Sequence, residues 1–270
     1  MRILFLGDIV GRTGRDALEK ALPELKKQLR PDIVIVNGEN AAHGIGITEK
    51  ICQSFYEWGT NIITTGNHVW DQREILTYID RDPALLRPHN WPEGAPGSGI
   101  CLHRIADGRQ ILVVNLMGRT YMEPMDDPFA VMKKITDEYR LGQNVDAIFV
   151  DFHAEATSEK MAFGHYFDGK ISAIIGTHTH IPSADAQIFD HGTAYQTDAG
   201  MCGDYNSVIG FEKEVPIARF TKKMSVRRMM PADGEATICG FFVQTDKKGL
   251  ATNASPVVTG PRLHNVMPDF

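Results

Sequence analysis

Three short apolar runs, Ile3–Leu6, Ile33–Val36 and Ile62–Thr65, are separated by stretches of helical periodicity, and this alternation restricts the chain more than any other feature. Arg15–Leu29 carries Leu18, Leu22, Leu25 and Leu29 on one stripe, and Thr48–Trp58 reads as a second helix with Thr48 as its N-cap. Strand, helix, strand, helix, strand in this order builds parallel βαβ units.

The rest of the chain is less regular. Arg87–Gly99 holds three prolines and three glycines and reads as a long surface loop. Ile100–Ile105 and Gln110–Leu116 flank Ala106-Asp-Gly-Arg109, a hairpin signal, and Gln187–Phe189 and Ala194–Gln196 flank a second such turn. Helices are expected over Pro128–Leu141 and Glu155–Phe163, and strands over Ala147–Phe152, Ile171–Ile175 and Thr237–Gln244. Periodicity alone predicts one α/β domain over residues 1–270, its sheet becoming mixed or antiparallel in the second half.

Polar, metal-competent residues recur just after the predicted strands. Asp8 follows the first, Asn37, Glu39 and Asn40 the second, and Asn67 and His68 the third. His153 follows Ala147–Phe152, and His178 and His180 follow Ile171–Ile175. Ligands of open α/β sheets collect outside the carboxyl ends of the strands, so these residues are expected to gather at one edge. Taken singly each has a bland reading. Asp8 serves equally as a turn or cap residue, Glu39-Asn40 as a polar turn, Asn67-His68 as a loop pair and His153 as a satisfied buried histidine. His178 and His180 are the stronger signal, because residues two apart in an extended segment point to one side. From among them come about seven candidate ligands with nitrogen and oxygen donors and no thiolate, which favours iron, manganese or zinc over a soft metal. Seven donors exceed one tetrahedral site, and two ions about 3.5–4 Å apart could clamp a phosphoryl group.

Other signals carry less. The net charge of −6 offers no basic stripe, so stable nucleic-acid binding is not expected, and no apolar window suits a membrane span. The four cysteines form no CxxC and read as reduced thiols of a soluble cytoplasmic protein. His43 suits a surface loop or a phosphate contact, and Asp71 a helix start or a partner that orients a site histidine. Gly200-Met-Cys202-Gly203 reads as a tight turn that could present N–H groups to a phosphate. Arg227-Arg228 reads as a solvated pair. Met224, Met229 and Met230 suit the core or a subunit contact, which admits a homo-oligomer.

The segments Gly7-Asp8, Gly66-Asn67-His68 and Gly176-Thr-His178-Thr-His180 resemble the calcineurin-like metallophosphoesterases. More closely, LFLGDIVGRTGR, VNGENAAHGIGIT, TTGNHVWD, VDFHAEATSEK and IIGTHTHIPSAD resemble the YmdB-like bacterial branch, from the first strand to near the C-terminus. The resemblance implies a two-sheet sandwich of mixed β-sheets flanked by helices (αββα). It implies a first metal on Asp8, Asn40 and His180, a second on Asn67, His153 and His178, and Glu39 bridging both. The nucleophile would be a metal-bound hydroxide, with His68 the general acid. The wider superfamily has Asp-x-His at its first strand and an Asp bridge. Here Asp8-Ile9-Val10 and Glu39 stand instead, and Asn40 replaces the missing imidazole, which tilts the expected metal toward iron or manganese over zinc. The implied activity is a phosphodiesterase acting on small phosphate esters, 2',3'-cyclic nucleotides above all, with phosphatase-type side activity. The rival reading is a nucleotide- or RNA-responsive regulatory protein whose metal site mainly binds and signals.

Overall fold

The computed structural model describes residues 1–223 and 227–269. The chain begins with β1 (Arg2–Leu6), β2 (Asp8–Ile9), α1 (Gly11–Leu29), β3 (Ile33–Asn37), α2 (Glu49–Trp58), β4 (Ile62–Thr64) and a one-turn α3 (Ile75–Tyr78). Next come β5 (Ile100–Arg104), β6 (Gln110–Met117), α4 (Pro128–Glu138), β7 (Ala147–His153), α5 (Thr157–Tyr166) and β8 (Ala173–Thr177). The last elements are β9 (Gln187–Ile188), β10 (Ala194–Gln196), β11 (Met201–Asp204), α6 (Glu214–Lys222), β12 (Ala236–Thr245) and β13 (Ala251–Thr259).

The expected βαβ units form. Strand β1 pairs parallel with β3, and β3 with β4. The Thr48 side chain accepts from the Ile51 N–H as the N-cap of α2, and Gly59 closes that helix at φ +103. The four leucines of α1 are all buried. Each fully buried leucine stabilises by roughly 1.5–3 kcal/mol relative to exposure. Both expected hairpins are present, β5 with β6 and β9 with β10.

The single sheet read from periodicity gives way to two. In the first, β1 lies between β3 and the antiparallel β12, which also pairs with β13 and, at its start, with β11. The second runs β5-β6-β7-β8-β10-β9, parallel except at its two edges. Period-2 alternation explains the layering. Ile3, Phe5, Phe149 and Ile175 face between the sheets, where the Phe5 and Phe149 rings lie 5.1 Å apart. Leu4, Leu6, Val34 and Val36 face α1 and α2, whereas Ile148, Val150 and Phe152 face α4 and α5. The result is a helix–sheet–sheet–helix sandwich, as the resemblance implies.

Several expectations change. Residues 201–204 are a strand, not a turn: β11 pairs with β2 and β12, and the Cys202 thiol is fully buried against the Cys239 carbonyl. Burial raises that thiol well above its ordinary value, so it is a core side chain. The Arg87–Gly99 segment is a surface loop only at its tip. Arg87 is buried and donates to the Pro88, Ala95 and Pro96 carbonyls, and the Asn90 amide donates to the Met117 and Asp126 carbonyls. Met230 is exposed and Met229 half-buried, so neither lines the core, and Met224 lies outside the described residues. Among the described residues no helix is long and apolar enough to cross a membrane.

Candidate metal centre

The carboxyl ends of strands from both sheets converge. Asp8 follows β1, Glu39 and Asn40 follow β3, Asn67 and His68 follow β4, His153 ends β7, and His178 and His180 follow β8. Asp8, Glu39, Asn40, His153 and His180 are buried, while the His68 side chain is 35% and the His178 side chain 23% exposed. Burial with an open mouth fits a site reached by a small molecule from one side. Gly66 is required for this crowding, since a Cβ there would lie 2.3 Å from both Glu39 Oε2 and His153 Nε2.

Hydrogen bonds fix which ring nitrogens face inward. Buried Asp151 accepts from Asn37 Nδ2, from the Thr64 hydroxyl and, at 2.6 Å, from the Thr177 hydroxyl. Having donated its one proton, Thr177 Oγ1 can only accept from His153 Nδ1–H at 2.9 Å. His153 Nε2 therefore turns inward, 3.0 Å from Asn67 Oδ1, 3.1 Å from His178 Nδ1 and 3.2 Å from Glu39 Oε1. All three neighbours are acceptors in this arrangement, because His178 Nε2 faces the Glu155 carboxylate at 3.3 Å and keeps its proton there. One proton on His153 Nε2 cannot satisfy three acceptors, whereas a cation at their centre would. Glu39, His153 and His178 offer ligand atoms that all lie within 4.8 Å of one another.

A second group has the same character. His180 Nδ1–H donates to the Ile209 carbonyl at 2.8 Å, and the Asn40 amide donates to the Gly44 carbonyl at 3.0 Å. His180 Nε2 and Asn40 Oδ1 are thus left as two lone pairs facing each other at 3.2 Å. Asp8 Oδ2 accepts from the His178 N–H at 3.3 Å, but Asp8 Oδ1 is buried without a partner. A buried, unpaired carboxylate oxygen is costly, and a cation would satisfy it.

The electrostatics express the same demand. Burial pushes Asp8 up to about 7, against the pull of His180 and His153 and helped by the neighbouring Glu39 charge. Burial also opposes ionisation of Glu39, yet the charge and hydrogen bond of His153, with His68 and His178 beyond, hold it down to about 2. His153 is raised to about 9, because Glu39, Asp8 and Asp151 outweigh its burial. His178 falls to about 3, from burial first and the His153 charge second. The proton that His153 carries thus stands where a metal ion could stand, and a metal would displace it.

All seven residues expected to ligate metal gather here, in two adjoining groups. His178 and His180 do so by a different route from strand alternation. Both lie beyond β8 with left-handed backbones, φ +101 and +67, and face different groups. His68 sits at the mouth with its backbone N–H 3.2 Å from Glu39 Oε2, and its Nδ1 is 2.7 Å from Asp71 Oδ2, so Asp71 is the orienting partner and not a free helix-start carboxylate. His43 is exposed at φ +56. Asp151, Thr177 and Glu155 join the site although no motif in the sequence marks them. Asp151 had a signal, because a carboxylate inside an apolar strand shares a face with His153 two residues on.

The chain is similar to known proteins over most of its length. A family model described as YmdB-like protein matches residues 4–257. The chain is 48% identical to the 2',3'-cyclic-nucleotide 2'-phosphodiesterase of Bacillus subtilis (strain 168) over 91% of this chain and 92% of that protein. The crystal structure of a hypothetical protein from Thermus thermophilus superposes with a TM-score of 0.90 at 39% identity, covering 97% of this chain and all of that one. That of a novel phosphatase from Mycoplasma pneumoniae gives 0.89 at 35% identity, covering 96% and 93%.

Proposed function

The chain belongs to the YmdB-like protein family, and from that premise we propose that it hydrolyses phosphodiesters, 2',3'-cyclic nucleotides first among them, at a centre built for two metal ions. The observation that carries the reading is the pair of adjoining groups in which ring nitrogens, amide oxygens and carboxylates present lone pairs to one another. The named activity of the Bacillus subtilis relative supports the substrate class. Asp8, Asn40 and His180 would hold one ion, Asn67, His153 and His178 the other, and Glu39 would bridge them. Nitrogen and oxygen donors alone suit iron first, with manganese or zinc as alternatives. Bound there, two ions would offset charge on the phosphoryl oxygens and activate water for in-line attack.

The protein's own residues do the rest. Asp8 and Glu39 would set two buried carboxylates against the expected cations and offset half the charge of two divalent ions, leaving the site cationic toward an anionic phosphate. His68 is oriented by Asp71 through Nδ1, which leaves Nε2 to protonate the leaving 2'-oxygen as the cyclic ester opens. Its partial exposure lets it reach a substrate at the mouth. Phosphatase-type activity on simple monoesters follows as a side reaction of the same site.

The test is a screen of metal-stripped protein, reconstituted separately with Fe2+, Mn2+ and Zn2+, against 2',3'- and 3',5'-cyclic nucleotides and a model monoester. Metal-dependent opening of the 2',3'-cyclic ester is expected. Failure with every metal, or full activity in a metal-stripped His178→Ala variant, would overturn the reading.

A further inference from the structure

Lysine is almost never fully buried without a partner, and Lys160 of α5 is 1% exposed. Its Nζ donates to the Asp198 carboxylate at 2.9 Å and to the Thr177 carbonyl at 2.8 Å. The same Asp198 oxygen accepts from the Thr179 N–H at 3.0 Å, and its second oxygen accepts from the Gly200 N–H at 2.9 Å. The ion pair therefore grips the two peptide groups on either side of His178. Between them His178 adopts φ +101, a conformation that residues with a Cβ rarely hold unless the surroundings impose it. Gly176, just before, admits the close approach on which the grip depends, since a Cβ there would meet the Thr197 carbonyl oxygen at 1.8 Å and Lys160 Cδ at 3.1 Å.

A buried ion pair contributes little net stability compared with apolar side chains of similar size, so burying one here calls for another explanation. We infer that Lys160 and Asp198 are positioning residues that force the Thr177–Thr179 backbone into the turn that aims His178 Nδ1 at His153 Nε2. The inference rests on the metal-centre reading above. The pair also ties three segments to one point: α5, which follows His153, the end of β8, and the 197–200 stretch between β10 and β11. His180 has anchors of its own, because its carbonyl accepts from the Met201 N–H and the Tyr205 hydroxyl. Loss of the pair should therefore weaken the His178 group most, and the His180 group only through the His178 N–H that Asp8 accepts.

The experiment compares the wild-type chain with Lys160→Met, Asp198→Asn and the double variant K160M/D198N. Lys160→Met alone strands a buried carboxylate and loses stability whatever the pair is for, whereas the double variant removes both charges together. Thermal unfolding and Mn2+ titration calorimetry are read on each, with the Mn2+ EPR spectrum at saturation of the wild type. In the double variant, the midpoint of unfolding should recover toward wild type. Mn2+ affinity at one of two sites should stay about 10- to 100-fold weaker, the effect typical of removing an outer partner of a ligand, and the coupled two-ion EPR signature should give way to that of a lone ion. Asp198→Asn, which keeps one acceptor for the Thr179 or Gly200 N–H, should weaken the same site if the double variant does not fold. Wild-type affinity and a coupled signature in the folded double variant, or wild-type affinity in Asp198→Asn, would overturn the positioning role and leave the metal reading intact. Absence of Mn2+ binding to the wild-type chain would overturn the metal reading itself, and the inference with it.

Discussion

Thr177→Val keeps the shape of the side chain and deletes one hydroxyl, the link between Asp151 and His153. Asp151 loses its 2.6 Å bond but keeps Asn37 and Thr64, and His153 Nδ1–H loses the acceptor 2.9 Å away. The Thr177 carbonyl still receives Lys160, so the local backbone keeps its anchor. A buried donor left unpaired and a bond to a carboxylate lost, discounted because the two share one hydroxyl, should cost about 2–4 kcal/mol of stability. With nothing to hold its proton on Nδ1, the ring gains freedom to turn its proton inward, toward the acceptors where the metal is expected. Removal of such a partner weakens metal binding about 10- to 100-fold, or roughly 1.4–2.8 kcal/mol. Urea unfolding of the metal-free protein reads the first quantity, and Mn2+ titration calorimetry of the folded variant reads the second. A variant with Mn2+ affinity within about twofold of wild type, a change below the energies at issue, would show that the hydroxyl does not set the tautomer of His153.

Three further outcomes are expected. Gly66→Ala should lower metal content and turnover by about tenfold or more with an unchanged far-UV circular dichroism spectrum, because the atoms nearest its Cβ belong to the Glu39 and His153 side chains. His68→Ala should depress turnover on a cyclic nucleotide by about 10²–10⁴-fold while bound metal, measured by elemental analysis, stays at the wild-type level, and Asp71→Asn should be milder. Asp168→Asn should destabilise the chain by roughly 1–3 kcal/mol at neutral pH, since that carboxylate accepts from the His191 and Thr193 backbone N–H groups and the His191 ring. Despite its burial, these bonds hold Asp168 below its ordinary 3.8. Its stabilisation is therefore complete above 3.8 and fades as pH falls through the lower folded value, so urea midpoints of variant and wild type should converge in acid.

The βαβ half of the fold was legible because its signals are local. Apolar runs of four residues, a leucine stripe and a Thr48 cap each specify an element within a few residues. The division into two sheets was legible only through the family resemblance, because nothing in a strand's own sequence names the sheet it joins. Strand β12 lies far along the chain yet pairs with β1. The two-residue β2 and the polar-edged β13 lack a run long enough to read, and glycines around Cys202 disguised β11 as a turn.

The site was legible as positions and not as orientations. Strand ends collected the seven donors, but the left-handed backbones of His178 and His180 replaced strand alternation, and no periodicity encodes a positive φ at histidine. The residues that orient the donors were the least visible. Asp151, Thr177 and Lys160 act through partners distant in sequence, such as Thr64 and Asp198, so only the fold brings out their roles.

Metal stoichiometry separates a centre of two ions from a centre of one. Metal-free protein saturated with Mn2+, freed of excess ion and analysed for manganese against chain concentration should carry two ions per chain, falling to one or none in Glu39→Gln, where the proposed bridge loses its charge. One ion per chain in fully active wild-type protein would contradict the two-ion account and point to a mononuclear esterase.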